Sequence, residues 1–321
     1  MNKRVLVIVV SYNGKKWLER CLTSVCVVGG SNGIPLTAKT AQNAPGGQIS
    51  EPLTAVSAGI YVWDNDSTDG SADFVAAHYP AAKLVRSAEN LGFSRPNNMG
   101  VEYAIKNGYD YVYFLNQDAW LEEGALETLV AAAEAHPDYA VLSPLQMTDG
   151  YQALDRNFAK CLSAGPRTKM AQPVLEGGGS EVLEVKRIMA AHWLVPVRVW
   201  QRVGPFNEEL FPLYGQDDDW CNRARFCGLK IGVVPAARAV HDRAYRQEDV
   251  GRLVNRNYYT GSLVRLADPD RSWFITMPYV FLFTLVKAVK YRSLLPFKYL
   301  HTIWRQLPFV KASRIRAIHA R

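Results

Sequence analysis

The sequence predicts an α/β fold, with a mostly parallel central sheet flanked by helices and a helical, basic segment at the C-terminal end. Three observations predict it. Apolar, β-branched runs alternate with helical patterns through the first half of the chain. Polar clusters fall at the ends of those runs, where open parallel sheets bind their ligands. Beyond Asp270 the acidic residues stop, while ten basic residues follow, from Arg271 to Arg321.

Arg4 to Val10 reads as a buried strand. Its apolar run, Val5 to Val10, is too short for a secretory leader and enters Ser11-Tyr12-Asn13-Gly14 without a small-residue cleavage pattern. Lys15 to Val25 reads as a helix, Ile60 to Trp63 as a strand, and Asp64 to Ser71 as a polar turn. Ala72 to His78 follows as a helix, Lys83 to Arg86 as a strand, Pro96 to Asn107 as a helix and Tyr111 to Leu115 as a strand. The Gly/Ser/Pro/Ala-rich stretch at about 28–56 predicts an irregular insertion, with a β-hairpin as one form it could take. Met147 to Glu181, ending near Gly177-Gly178-Gly179, predicts a long loop over the site. The expected division is one domain over residues 1–245 and a helical segment over 246–321.

With 321 residues and 48% hydrophobic composition the chain can bury a sizeable core. Five cysteines without a CxxC pair fit ordinary packing in a reducing compartment better than a disulfide framework or a zinc site. The net charge of +7 is concentrated in the tail, so the body is mildly acidic.

Chemistry-bearing residues gather in six places. Ser11-Tyr12-Asn13 closes the first strand. Asp64 opens the turn after the second, where a carboxylate can accept a hydrogen bond from the N3–H of uracil or thymine, although such runs are also ordinary turns. Glu89 to Gly100 is a glycine-punctuated loop opening a helix, with Arg95 near its start. Helix N-termini and arginine both suit a diphosphate; the alternative is a plain N-cap with an exposed Arg. Asn116-Gln117-Asp118 delivers one carboxylate to a strand end, enough for a divalent cation when phosphates supply its other oxygens. Asp217-Asp218-Asp219 crowds three carboxylates ahead of a helical stretch. That suits a base, a metal or a cationic partner, or simply the field of a helix N-terminus. His241 follows a short strand and a Pro235-Ala236-Ala237 turn.

In this order and spacing the motifs resemble the family 2 glycosyltransferases of the GT-A fold, in their bacterial, rhamnosyltransferase-like branch, over roughly residues 4 to 243. The resemblance implies a Rossmann-like GT-A sheet. It implies nucleotide-sugar contacts from Ser11, Tyr12, Asn13, Asp64, Asn90, Arg95, Asn98 and Asn116. It implies Mg²⁺ or Mn²⁺ on Asp118 with His241, and Asp217 as general base. Gln216 stands where that family most often has Glu. Asp219 is expected to cap its helix or hold an Arg, and Asp218 has no assigned role. His192, Trp193, Tyr214 and Trp220 are candidates for stacking on acceptor sugars.

The expected reaction moves a sugar from dTDP-rhamnose or a UDP-hexose to a saccharide or lipid-linked acceptor, by one inverting displacement, as in polysaccharide and cell-envelope assembly. The basic tail carries Leu300, Ile303, Trp304 and Leu307 at helical spacing. It predicts contact with an anionic membrane surface, and so a cytoplasmic protein peripheral to the inner face of the cytoplasmic membrane. The apolar run Trp273 to Val286 falls short of the ~18–20 residues that span a bilayer. The alternative is a helical pair packed on the core or on a second subunit of a homodimer. No nucleic-acid recognition motif accompanies the charge. Two other functions stay open. A nucleotidyltransferase would want a richer glycine loop than the single Gly14, and Gln216 suggests a catalytically impaired binding scaffold.

Overall fold

Lys3–Ser11 forms strand β1 in a computed structural model that describes residues 2–29, 55–150, 153–163, 182–242 and 255–321. Val5 to Val9 are all buried. A strand that is apolar on both faces needs cover from both sides, which places it in the middle of a sheet. Accordingly β1 lies between β2 (Val56–Asp64) and β4 (Tyr111–Asn116), parallel to both, and β2 pairs in parallel with β3 (Lys83–Arg86). Helices α1 (Lys15–Gly29), α2 (Ser71–His78) and α3 (Ser94–Lys106) are the connections. On α1, Leu18, Cys21, Leu22 and Val25 are buried at helical spacing.

The second half makes the sheet mixed. It contributes β5 (Ala119–Leu121), α4 (Ala125–Ala135), β6 (Tyr139–Met147), α5 (Arg156–Ser163), β7 (Leu183–Val185), β8 (His192–Pro196), α6 (Val197–Val203), α7 (Gln216–Phe226) and β9 (Lys230–His241). The strand order is β3-β2-β1-β4-β8-β6-β9-β5, with β7 on β9. β8 runs antiparallel to β4 and β6, while β9 is parallel to β6 and antiparallel to β5 and β7. The expected Pro235-Ala236-Ala237 turn is instead an irregularity within β9. The register there passes from Pro144↔Val234 to Leu145↔Arg238, so these residues oppose nothing. A proline, lacking an N–H for the ladder, suits such a bulge.

Residues 30–54 of the expected insertion and 164–181 of the expected loop lie outside the described residues. The described part of that loop contains a helix. Asp155 Oδ1 accepts from the N–H groups of Asn157 and Phe158 at 3.0 and 2.8 Å, an N-cap that starts α5.

Contacts divide the chain into two units. One comprises Met1–Asn90, Met99–Trp200 and Lys230–Arg243; the other Leu91–Asn98, Gln201–Leu229 and Ala244–Arg321. This differs from an N-terminal domain ending at residue 245. The physical reason is one shared core in the second unit: Leu210 and Phe211 are buried together with Tyr258, Leu263, Val280, Ile303 and Val310. That unit also holds a π-helical turn (Asn255–Thr260), α8 (Gly261–Ala267), α9 (Trp273–Tyr291) and α10 (Leu295–Ala320).

Candidate active site

In the first unit, three adjacent parallel strands end in one row. Ser11 pairs in register with Asp64, and Val10 with Asn116. Ser11 and Asp64 are buried, and among the described residues neither Ser11 Oγ nor Asp64 Oδ1 has a hydrogen-bond partner. The other oxygen, Asp64 Oδ2, accepts from the Ser67 N–H at 3.1 Å, which fixes the carboxylate plane. A buried polar atom without a partner costs about 1–3 kcal/mol, so such a pair at strand ends points to a polar ligand.

Around this row the loops interlock. Asn13 is left-handed at φ 49°, and its Oδ1 accepts from the Thr68 N–H at 2.9 Å while its own N–H donates to Ser67 Oγ at 3.0 Å. The Asn13 side chain thus ties two loops together. Asp69 receives the Lys15 N–H at 3.0 Å, capping α1 from another loop. Burial would raise the Asp69 carboxyl, but the bonds from Ser71 and from the Lys15 and Ser71 N–H groups outweigh it and hold the carboxyl below its usual range. Sequence reasoning missed Gln117. Its Oε1 accepts from the Tyr12 N–H at 2.9 Å and its Nε2 donates to the Tyr12 carbonyl at 3.2 Å. This clasp holds the backbone of Tyr12, whose own side chain is about half exposed at 48%. Gly14 leaves the room that the clasp needs: a Cβ there would sit 2.0 Å from Gln117 Oε1.

Asp118 and His241 come together because β5 pairs antiparallel with β9, with Ala119 opposite His241. His241 Nε2 lies 3.4 Å from Asp118 Oδ1, His241 is buried, and among the described residues its Nδ1 has no hydrogen-bond partner. Ligands at cis positions of an octahedral cation sit about 3 Å apart, so the two side chains fit a shared divalent ion. Among the described residues no group of three or more His, Cys, Asp or Glu could hold a metal, so further ligands would have to come from elsewhere.

The structure corrects three of the four acceptor candidates. His192 is fully buried; its Nε2 donates to the Val240 carbonyl at 3.0 Å, and its Nδ1 therefore accepts from the Tyr113 hydroxyl at 2.9 Å. Burial, followed by the nearby His241, pushes its pKa down to about 3, so the ring is neutral. Trp193 is fully buried one position along the same strand. In the second unit Trp220 is fully buried too, its Nε1 donating to the Gly204 carbonyl at 2.8 Å. None of the three faces can receive a sugar ring. Tyr214, at 51% exposure, can.

Asn90 is exposed in the first unit. In the second, the loop before α3 is clamped: Gly92 is left-handed, and both Phe93 N–H and Ser94 N–H donate to the Pro212 carbonyl, at 2.7 and 3.1 Å. Asn98 turns inward. Its Oδ1 accepts from Phe206 N–H at 2.9 Å, and its Nδ2 donates to the Phe206 carbonyl and to Glu208 Oε2, both at 3.0 Å. That side chain holds the protein together, which corrects its assignment to the donor. Arg95 is exposed, with its Nε 3.9 Å from Glu208 Oε1.

The three carboxylates of α7 now separate. Gly215, at φ 90°, lets the chain turn sharply into the helix; a Cβ there would lie 2.6 Å from Thr260 Cγ2. Asp219 is buried and pairs with Arg223 Nε at 2.9 Å. Burial raises its carboxyl above the usual range, and Arg223 only partly offsets that. Asp217 and Asp218 are half-buried, and Asp217 Oδ1 accepts from the Asp218 N–H at 2.9 Å, which orients the Asp217 carboxylate. Gln216 is buried, and its Oε1 has no hydrogen-bond partner among the described residues.

The chain is similar to several known proteins. Residues 57–162 match the family model described as Glycosyl transferase family 2. An N-acetylglucosaminyl-diphospho-decaprenol L-rhamnosyltransferase of Mycobacterium tuberculosis is 25% identical over 270 residues, covering 75% of this chain and 86% of that protein. A dTDP-rhamnosyl transferase, RfbF, of Shigella flexneri is 20% identical over 158 residues, covering 49% of this chain and 51% of that protein. Among solved structures, S. aureus TarS 1-349 in complex with UDP superposes with a TM-score of 0.52 at 15% identity, covering 85% of this chain and 68% of that one. GalNAc-T7 with UDP, GalNAc and Mn²⁺ gives 0.51 at 12% identity, covering 85% and 52%. At such identities the structures show the fold alone. Family model, relatives and fold point the same way: residues 57–162 are similar to family 2 glycosyltransferases, and the fold is of the GT-A kind.

Proposed function

We propose that the chain transfers a sugar from a nucleoside diphosphate sugar, dTDP-rhamnose or a UDP-hexose, to a saccharide or lipid-linked acceptor with inversion at the anomeric carbon. The observation that carries the donor class is Asp64 Oδ1, a buried acceptor without a described partner at a strand end beside Ser11. The N3–H of uracil or thymine supplies the donor that this oxygen wants, whereas cytosine offers only a lone pair there. The rhamnosyltransferase names of the M. tuberculosis and S. flexneri relatives support dTDP-rhamnose first.

Asp217 is the proposed general base, oriented by the Asp218 N–H and removing the proton of the acceptor hydroxyl as it attacks. Asp118 and His241 would hold Mg²⁺ or Mn²⁺ together with the donor's diphosphate. The ion would there neutralise charge on the leaving group. Tyr12, its backbone held by Gln117, presents its ring to the nucleotide. Gln117→Ala removes both of those hydrogen bonds, worth about 0.5–1.5 kcal/mol each. The expected result is a several-fold rise in KM for the donor with kcat changed less, and initial rates across donor concentrations check it. An unchanged KM would show that the clasp does not order Tyr12 for binding.

The test of the function is a donor panel, dTDP-rhamnose and UDP-hexoses with a saccharide-diphospholipid acceptor, run with Mg²⁺, with Mn²⁺ and with chelator. Release of nucleoside diphosphate from at least one donor, stimulated by acceptor, is expected. Silence with every donor, or pyrophosphate release from a nucleoside triphosphate and a sugar phosphate, overturns the proposal.

A further inference from the structure

Helix α9, Trp273–Tyr291, has its polarity reversed. Its buried stripe is Thr276, Val280 and Thr284. Both threonine hydroxyls are satisfied inside the unit, Thr276 Oγ1 donating to the Ser272 carbonyl and Thr284 Oγ1 to the Val280 carbonyl, each at 2.8 Å. The outward face is the apolar one: Phe274 is 92% exposed, Val289 79%, Ile275 73%, with Leu282 and Phe281 close behind. A helix on the surface of a water-soluble domain arranges these the other way, apolar stripe inward and polar residues outward. An exposed apolar patch of this kind marks a surface meant for a partner or a membrane.

Charge decides between them. The chain after Asp270 has no acidic residue, and Lys290, Arg292, Lys298 and Arg305 are exposed beside the apolar face. A second copy would bring the same cationic surface against itself. An anionic bilayer attracts it, by about 1 kcal/mol per basic residue near the lipid phosphates. Between α9 and α10 lies an apolar groove of about 510 Å³, lined by residues that include Met277, Phe281, Leu300 and Trp304. Trp304 is 65% exposed, and an amphipathic indole favours the headgroup level. The apolar run in the sequence ends at Val286, but the helix continues to Tyr291 and is long and apolar enough to cross a membrane. Two features argue against crossing. The threonine stripe is buried on the protein side, and Lys287 and Lys290 occupy the C-terminal end of the helix.

We infer that α9 and the first turns of α10 insert their apolar face into one leaflet of an anionic bilayer, with Lys290, Arg292, Lys298 and Arg305 on the lipid phosphates. This stands whether or not the glycosyl-transfer reading holds. The test is flotation of the full chain with vesicles of phosphatidylcholine alone or mixed with phosphatidylglycerol, alongside sedimentation equilibrium without lipid. Wild type is expected to float with the anionic vesicles at least about ten-fold more than with neutral ones, given the attraction per basic residue. Phe274→Glu with Leu282→Glu should abolish flotation on both. Lys290→Glu with Lys298→Glu should remove the preference for the anionic lipid. All four side chains are exposed, so thermal melting should match wild type; if the double apolar variant melts early, Phe274→Glu alone replaces it. Flotation of the folded apolar variant like wild type overturns the inference. So does a wild type that stays off vesicles and self-associates until the same substitutions disperse it.

Discussion

Asp217→Asn should reduce sugar transfer by about 10²–10⁴-fold, the usual contribution of a general base, while leaving donor binding within about two-fold. Three carboxylates stand in a row, and they are not equivalent. Asp219 is enclosed in an ion pair with Arg223 and has no freedom to accept a substrate proton. Asp218 and Asp217 are both half-buried, and the Asp218 N–H is spent on fixing one oxygen of Asp217. Such a bond holds the Asp217 carboxylate in one orientation, toward which an acceptor hydroxyl can be aligned. Asparagine keeps the shape and removes the base. Single-turnover rates with binding measured separately by calorimetry check this. Asp218→Asn, by the same reasoning, should cost far less; if the two variants exchange effects, the assignment moves by one residue.

Arg223→Ala should destabilise the protein by about 3–5 kcal/mol, the range seen when one partner of a buried ion pair is removed. The pair is enclosed, with side chains only 6% and 1% exposed. Arg223 also donates to the carbonyls of Val203 at 2.8 Å and Pro205 at 2.9 Å, so its loss strands an anion and two backbone acceptors. The melting temperature should fall by roughly ten degrees. Burial already raises the Asp219 carboxyl, and without Arg223 it rises further. A carboxyl whose folded pKa lies above its unfolded value loses stability as pH rises past the unfolded value, about 3.9. The penalty should therefore shrink as pH is lowered toward the carboxyl's own range. Because Arg223 anchors the helix that carries Asp217, activity should fall even below the melting transition. A change of less than about 1 kcal/mol would mean that the helix is held by its apolar contacts alone.

What the sequence disclosed follows physical lines. β1 and β4 were legible because both faces are buried and both faces are therefore apolar. Ser11, Asp64 and Asn116 were legible because parallel strands put their last residues at one edge. Gln117 was hidden because a glutamine between two motif residues has no pattern of its own; its meaning is the distance back to Tyr12. Trp193 and Trp220 misled because an aromatic residue looks alike in a core and at a sugar site. The better clue for Trp193 was its neighbourhood, five successive buried residues in β8. The second unit was illegible for another reason: Leu210 and Phe211 share a core with residues roughly fifty to a hundred positions away, and no local spacing records that.

The anomeric configuration of the product, read by NMR in the donor-panel reaction, tests the central claim most directly. A single displacement driven by one carboxylate base predicts a product inverted relative to the donor, formed by wild type and not by Asp217→Asn. A retained configuration, or an inverted product formed as fast by Asp217→Asn, would contradict it.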